Sequence, residues 1–444
     1  MKLENINYRY DFKSLLYKED NLTLALAKYS EIDKGDNPCL FLGDISSPYI
    51  VSRCLVTLSN VVQSSFNLSP AEINLLKDPI VTTGNSKVRF EGFSHCAGLY
   101  ARVDVLEEQG EFIENGTTNV DFNQEMISML GGIKRSGEGM KLSVGKKEVQ
   151  ITTESKNVRE RKVPLPNKWI KGLTTVQHYL SQTQEHFELN KLQTLQLFRS
   201  IPKGSIKTDY YLFKRGNKYI FSPLKSKDAL VIGGIHRLQL LTPLLPLIDK
   251  CKIFAHENMQ SVTIQLYFDE VVFSLSLSRS HWRGFSGEGT MLEELLEEVP
   301  ESLIKKMDNY GFANQSFKST LLALENDIEL QKIEQLTSKL AAMGLLGYEL
   351  DEKQFFYRRL PFKLSRILTL NPRLKGVEKL LENNQVNITF NNGTRVEAKV
   401  EGSGVEHLVV LEEKKARCTC IWFSQNQGER GDCKHVLALK KLLG

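Results

Sequence analysis

The feature that most constrains this chain lies near its C-terminus, where Cys418, Cys420, Cys433 and His435 fall within one short, polar segment. The stretch from Ser424 to Asp432 carries two glycines and no apolar side chain, so it has no core of its own. Buried thiols rarely sit in so polar a setting. A metal ion that ties the ends of the segment together explains the pattern, because zinc prefers four sulfur or nitrogen ligands in a tetrahedron. Cys418 and Cys420 at a strand end supply two thiolates. Asp432 is the expected N-cap of a helix, which places Cys433 and His435 in its first turn, where the positive helix end favours a thiolate. Four protein ligands close the shell, and no further acid or histidine stands at helical spacing to act as a base. The expected ion is therefore one structural Zn2+, with the folding of the tail coupled to its binding.

The other cysteines (Cys39, Cys54, Cys96 and Cys251) are scattered singly along the 444 residues. No apolar run is long enough to span a membrane, and the first residues carry no apolar signal core. A cytoplasmic location is expected, where thiols stay reduced and the lone cysteines are core residues. Residues 414–444 hold seven Lys/Arg against two carboxylates, an excess equal to the net +5 of the whole chain. Moving the boundary upstream to take in Glu412 and Glu413 lowers this excess, and three thiolates on zinc lower it again. Arg417, Arg430, Lys434, Lys440 and Lys441 are the candidate contacts to nucleic acid or to a partner.

The predicted architecture is α+β and multidomain. Residues 1–172 read as a mixed region: a helix from Pro48 to Phe66, strands at Val88–Phe90 and Leu99–Val105, a helix capped by Asp121, and a hairpin over Lys141–Thr152. Asn157–Gly172, rich in basic residues and holding two prolines, reads as a connector. Residues 173–290 form a second mixed region, with a helix over His178–Ser200 and a clear hairpin. In that hairpin Val262, Ile264, Leu266 and Phe268 alternate, and Val271, Phe273, Leu275 and Leu277 alternate back. Residues 291–384 read as helical, with a short hairpin over Tyr348–Pro361. Helix followed by hairpin outlines a winged helix, but Leu330–Met343 is not a basic recognition helix, and a helical spacer is the preferred reading. Residues 385–444 open with a hairpin turning at Asn391-Asn392-Gly393.

Cys418-x-Cys420 and Cys433-x-His435 closing a ββα unit resemble the SWIM zinc finger. The resemblance assigns the four ligands as read above and implies a DNA-binding or protein–protein interaction module. Four further segments, Arg89–Arg102, Gly116–Asn123, Arg161–Trp169 and Trp282–Gly289, resemble bacterial SWIM zinc finger proteins of this size. These are similar in layout to proteins encoded beside MoxR-type ATPases and von Willebrand A-domain proteins, which implies a place in a multi-component ATPase system.

Weaker signals carry less. Strand, Asp121, helix and hairpin over Thr117–Thr152 resemble part of a sliding-clamp repeat, with the hairpin at 262–277 available to a second. Ordinary α+β topology explains the same order and is preferred. His95 beside Cys96 suggests a nucleophile, but neighbours on a strand face opposite ways. Trp282–Gly289 lacks the lysine and hydroxyl of a P-loop, and Gly139–Lys147 has the wrong glycine spacing for one. The expectation is a non-enzymatic binding or adaptor subunit. The alternative is an enzyme with its site around His95, Arg102, Asp121, Arg283 and Glu288, which requires those side chains to meet in one pocket.

Overall fold

The computed structural model describes residues 15–19, 21–25, 39–64, 79–106, 110–112, 115–137, 139–163, 167–280, 284–285, 301–358, 360, 372–402, 404–412, 415–427 and 431–443. After a hairpin of β1 (Leu15–Glu19) and β2 (Asn21–Ala25), the first half runs β3 (Cys39–Asp44), α1 (Pro48–Gln63), β4 (Ile80–Gly84), β5 (Lys87–Phe93), β6 (Leu99–Leu106), β7 (Glu111–Phe112) and β8 (Gly116–Asn119). It continues with α2 (Gln124–Gly132), β9 (Met140–Gly145), β10 (Glu148–Thr153), β11 (Asn157–Arg161) and α3 (Asn167–Ser181). Then come β12 (Thr183–Asn190), α4 (Lys191–Arg199), β13 (Asp209–Arg215), β14 (Lys218–Ser222), β15 (Leu230–Gly233), β16 (Lys250–His256), β17 (Ser261–Phe268) and β18 (Val271–Ser278).

An eight-stranded antiparallel sheet, in the order β12-β16-β17-β18-β6-β5-β4-β8, organises these elements. The pairing of β6 with β18 joins the two regions that the sequence separates at residue 172, so they share one sheet and one core. One face is apolar across four central strands: Phe90 stands opposite Val103, Val103 opposite Phe273, and Phe273 opposite Leu266. Helix α1 covers this face with Cys54, Leu55, Leu58 and Val62, all buried. Each such fully buried aliphatic or aromatic side chain contributes about 1.5–3 kcal/mol. Gly92 is required where α1 crosses, since an added Cβ would stand 2.5 Å from Val62 and 3.4 Å from Trp169. A second, five-stranded sheet, β11-β10-β9-β3-β7, packs beside the first.

Several local expectations need correcting. The stretch 157–172 is a strand followed by the start of α3; Val158 and Glu160 turn inward along β11 while the charged residues between them face out. The helix expected over 178–200 is interrupted by β12, an edge strand whose polar side chains hide its strand character. Asn123, not Asp121, caps α2, its Oδ1 accepting from the backbone N–H of Glu125 (2.8 Å) and Met126 (2.9 Å). His95 and Cys96 lie in the turn between β5 and β6 rather than on a strand, with Cys96 buried and in contact with Ser94 (3.4 Å). The hairpins expected at 141–152 and 262–277 are present as β9–β10 and β17–β18.

The next region runs α5 (Glu301–Asn314), β19 (Ser316–Phe317), α6 (Ser319–Asn326), α7 (Leu330–Ala342), β20 (Leu346–Glu349) and β21 (Gln354–Tyr357). Its sheet order is β19-β21-β20, so the region has winged-helix order in place of a plain helical spacer. Asp327, in the left-handed conformation, breaks α6 from α7, and Gly344 (φ 78°) turns the chain into the wing β20–β21.

The wing covers the polar face of the eight-stranded sheet. Arg89 pairs with Glu349 (2.6 Å), Glu91 with Arg358 (2.5 Å), and Lys252 with Asp351 (2.6 Å). Burial alone raises a carboxyl, but Arg89, Arg102 and Lys87 outweigh it and hold Glu349 well below the ordinary carboxylate range. Phe356 lies under the Arg89 guanidinium (4.2 Å), a cation–π contact at the centre of the docked surface. Helix α7 packs on α3, and Ser338 meets the imidazole of His178 at 3.3 Å.

The last region comprises α8 (Pro372–Glu382), β22 (Val386–Asn391), β23 (Arg395–Gly402), β24 (Val405–Glu412), β25 (Lys415–Cys418), α9 (Ile421–Asn426) and α10 (Lys434–Leu443). The strands form a four-stranded antiparallel meander. Among the described residues, no helix is long and apolar enough to cross a membrane.

Candidate metal centre

Strand β23 alternates buried and outward residues along most of its length. Val396, Ala398 and Val400 of β23 and Val409 of β24 point to one face and are buried. Helix α10 lies on that face through Val436, Leu437 and Leu439, and α8 closes over α10 with Leu374, Val377 and Leu380. The module therefore begins near Pro372, upstream of the boundary expected at residue 385. The two helices approach closely at Gly376, where an added Cβ would stand 2.9 Å from the Lys434 side chain.

Cys418 ends β25 facing inward, opposite Val409. Cys420 caps the short helix α9, its Sγ accepting from the backbone N–H of Phe423 at 3.4 Å. Cys433 directly precedes α10, its carbonyl accepting from the Leu437 N–H at 3.0 Å, and so takes the capping place expected of Asp432. Asp432 instead pairs with Lys440 (2.7 Å). His435 follows in the first turn of α10 and points back at the sulfurs.

The three Sγ atoms and one imidazole nitrogen lie within 4.8 Å of one another, and all four residues are buried. Cys418 Sγ is 3.7 Å and Cys433 Sγ 4.0 Å from His435 Nδ1. A tetrahedral ion with bonds of about 2.0–2.3 Å needs ligand atoms roughly 3.6–3.8 Å apart, so the donors fit such an ion. Burial, with smaller contributions from His407 and Lys434, lowers His435 to about 4, leaving the imidazole neutral and ready to ligate. The hydrogen bond with Cys418, and then burial, raise the Cys433 thiol; burial does the same for Cys420. Cys420 and Cys433, raised in this way, become thiolates readily when a cation joins them. His407 stacks on His435 with ring centroids 4.4 Å apart, and a Cβ at Gly402 would stand 2.4 Å from His435 Nε2. The imidazole is thus wedged with Nδ1 toward the sulfurs.

Residues 407–444 match the family model of the SWIM zinc finger. No curated protein matches the chain. Among solved structures, the proliferating cellular nuclear antigen of Entamoeba histolytica is similar at 12% identity and a TM-score of 0.35. The match covers 54% of this chain and 99% of that one. A PCNA2–PCNA3 complex from Sulfolobus tokodaii is similar at 7% identity and a TM-score of 0.37, again over 54% and 99%.

The four described basic candidates, Arg417, Lys434, Lys440 and Lys441, do not converge. Arg417 points to the open face of the meander, opposite Cys418. Lys434 and Lys440 lie half-buried on α10, the first over Gly376 and the second on Asp432, and Lys441 is half-buried as well. Arg430 lies outside the described residues. Arg373 of α8 was not foreseen; it donates to the Asp432 carbonyl (2.9 Å) and lies 4.7 Å over the Trp422 ring. The apolar spacing of Leu374, Val377 and Leu380 was the available signal for its helix.

Of the residues of the enzyme alternative, the three described ones, His95, Arg102 and Asp121, are dispersed. Arg102 is buried mid-strand, bound to Asp104 (2.8 Å) and to the Tyr348 carbonyl (2.8 Å). His95 sits in the β5–β6 turn, while Asp121 follows β8 at the far edge of the sheet. Arg283 and Glu288 lie outside the described residues. The small cavity beside Arg102 is lined by Tyr100, Thr263, Gln265, Ser274 and Ser276, and neither His95 nor Asp121 reaches it. Gly284 (φ 58°) makes a tight turn against Ala97, in keeping with a structural role for the described part of 282–289.

Proposed function

We propose that this chain is a non-enzymatic, zinc-dependent protein-interaction subunit, in which the C-terminal module presents the open face of its sheet to a partner. The observation that carries this reading is the closed donor set of Cys418, Cys420, Cys433 and His435. Four side-chain ligands leave no position for water or substrate, which is the arrangement of a structural site.

The choice of protein over nucleic acid rests on where the helix lies. His435 to Leu439 are all buried, so the middle of α10 offers no face to a groove and only its ends reach the surface. The opposite face of the meander carries Phe390 and Leu408, both exposed, beside Arg417. Its other charges are largely matched, Arg395 with Glu397 (2.6 Å) and Lys399 with Glu406 (2.8 Å). Exposed apolar side chains among paired charges suit a protein surface better than a polyphosphate. MoxR-type ATPases and von Willebrand A-domain proteins are the candidate partners, on the resemblance described above.

Affinity capture of the full chain from its source organism tests this reading. A partner identified as one of those two classes is expected, retained by the native chain and lost from a Phe390→Ser/Leu408→Ser variant that keeps its zinc. Steeply salt-dependent binding to duplex DNA that survives this variant and is lost in Arg417→Ala/Lys441→Ala overturns the protein reading in favour of nucleic acid.

A further inference from the structure

Helix α6 and the turn into α7 leave an apolar surface uncovered. Leu324 is 80% exposed and Leu321 52%, with Ile328 and Leu330 beside them at 37% and 39%. Single exposed leucines are ordinary, but four exposed aliphatic residues within residues 321–330 of one helix–turn–helix are not. Leu322 and Ala323 point into the core and fix which side of α6 faces out. Asp327 in the left-handed conformation ends α6 and turns the chain, and the exposed Ile328 and Leu330 follow it into α7.

The rim of this surface is acidic. Glu325, Asp327, Glu329 and Glu334 are exposed around it, against Lys318 and Lys332. Lys332 is already engaged by Glu329 at 3.3 Å. The C-terminal half of α7 is closed to a nucleic acid on its polar side as well, since Thr337, Ser338 and Lys339 are buried, and the wing is docked on the sheet. Phosphates would meet carboxylates at the open side. A second copy would bring an identical acidic rim against this one, and like charges across an interface are costly.

We propose that the 321–330 surface is a docking site for an amphipathic helix whose leucine-type anchors are flanked by lysine or arginine. The anchors cover Leu321, Leu324, Ile328 and Leu330, and the flanking cations meet Glu325, Asp327, Glu329 and Glu334. This site goes beyond the C-terminal module and shares no residue with it, so either reading can fail alone.

The test uses the full chain and a fluorescein-labelled helical peptide with leucines at i, i+3 and i+4 flanked by lysines, followed by anisotropy. Saturable binding is expected to weaken at least about tenfold in Leu321→Ser/Leu324→Ser and in Glu325→Lys/Glu329→Lys. The same peptide with glutamate replacing lysine should bind at least about tenfold more weakly to the native chain. All substituted side chains are exposed, and an unchanged melting curve verifies that both variants fold. Equal binding to native and variant chains, equal binding of the acidic peptide, or displacement by duplex DNA each overturns the proposal. So does concentration-dependent dimerisation lost in Leu324→Ser without peptide binding, which gives the surface to a second copy.

Discussion

Arg358 of the wing-side chain and Glu91 of the central sheet meet at 2.5 Å with neither side chain exposed, across 267 residues of sequence. Tyr100 also donates its hydroxyl to Glu91, while Arg358 Nε and Nη2 find no acceptor among the described residues. The pair is thus desolvated and incompletely satisfied, so its worth lies in where it fixes the wing rather than in net stability. Arg358→Met should cost about 3–5 kcal/mol in chemical denaturation, because it strands the Glu91 carboxylate. Glu91→Leu combined with Arg358→Met should recover at least half of that loss. A single variant as stable as the native chain would contradict this account of the wing contact.

The turn at Gly284 is a second sensitive point. An added Cβ would stand 2.0 Å from the Ala97 carbonyl oxygen, at a φ of 58°. Gly284→Ala should therefore destabilise the chain by at least about 2 kcal/mol, since steric overlap adds to left-handed strain. Thermal unfolding of the variant checks this, and an unchanged midpoint would show that the turn is looser than described.

Much of this architecture was readable because local patterns and tertiary demands agreed. The β17–β18 hairpin, the β9–β10 hairpin and the four metal donors each follow from short-range alternation or spacing. The burial of the central sheet's polar face was not legible, for a physical reason. Ser274, Ser276, Thr263 and Gln265 alternate with apolar residues as in a sheet half in water, yet all are buried. They bond to one another, Thr263 with Ser276 (2.8 Å) and Gln265 with Ser274 (3.0 Å), under Tyr348 and Leu350 of the wing side and Leu180 of α3, and no local pattern encodes that cover. Strand β12 escaped notice likewise, because Thr183–Asn190 owes its conformation to pairing with β16. The helix α8 joined the metal module only through packing on α10.

His256 links stability to pH. Burial, and then the charge of His178, lower its pKa to about 4, and its ring is bonded to Gln182 (3.0 Å) and to the Asn258 N–H (3.1 Å). The unfolded imidazole titrates near about 6.5. Stability from the neutral ring is therefore complete above that value and is lost as pH falls from about 6.5 toward 4, where the unfolded chain takes up a proton first. Denaturation free energies measured across this window should fall more steeply for the native chain than for His256→Gln, by up to about 1.4 kcal/mol per pH unit. Parallel slopes would remove His256 from the linkage.

Metal loss should act locally. Cys433→Ala, or a chelator, removes a ligand that joins β25, α9 and α10, while the eight-stranded sheet is packed by α1 and the wing and supplies no ligand. Limited proteolysis should then cut within residues 372–443 and leave the body from Cys39 to Arg358 resistant. Collapse of both parts together would show that the module and the body fold as one.

The most direct measurement is metal analysis of the purified full chain together with X-ray absorption at the zinc edge. The account predicts one zinc per chain, with three sulfur neighbours at about 2.3 Å and one nitrogen at about 2.0–2.1 Å. A chain without stoichiometric zinc, or a shell containing water oxygen in place of one of these ligands, would contradict it.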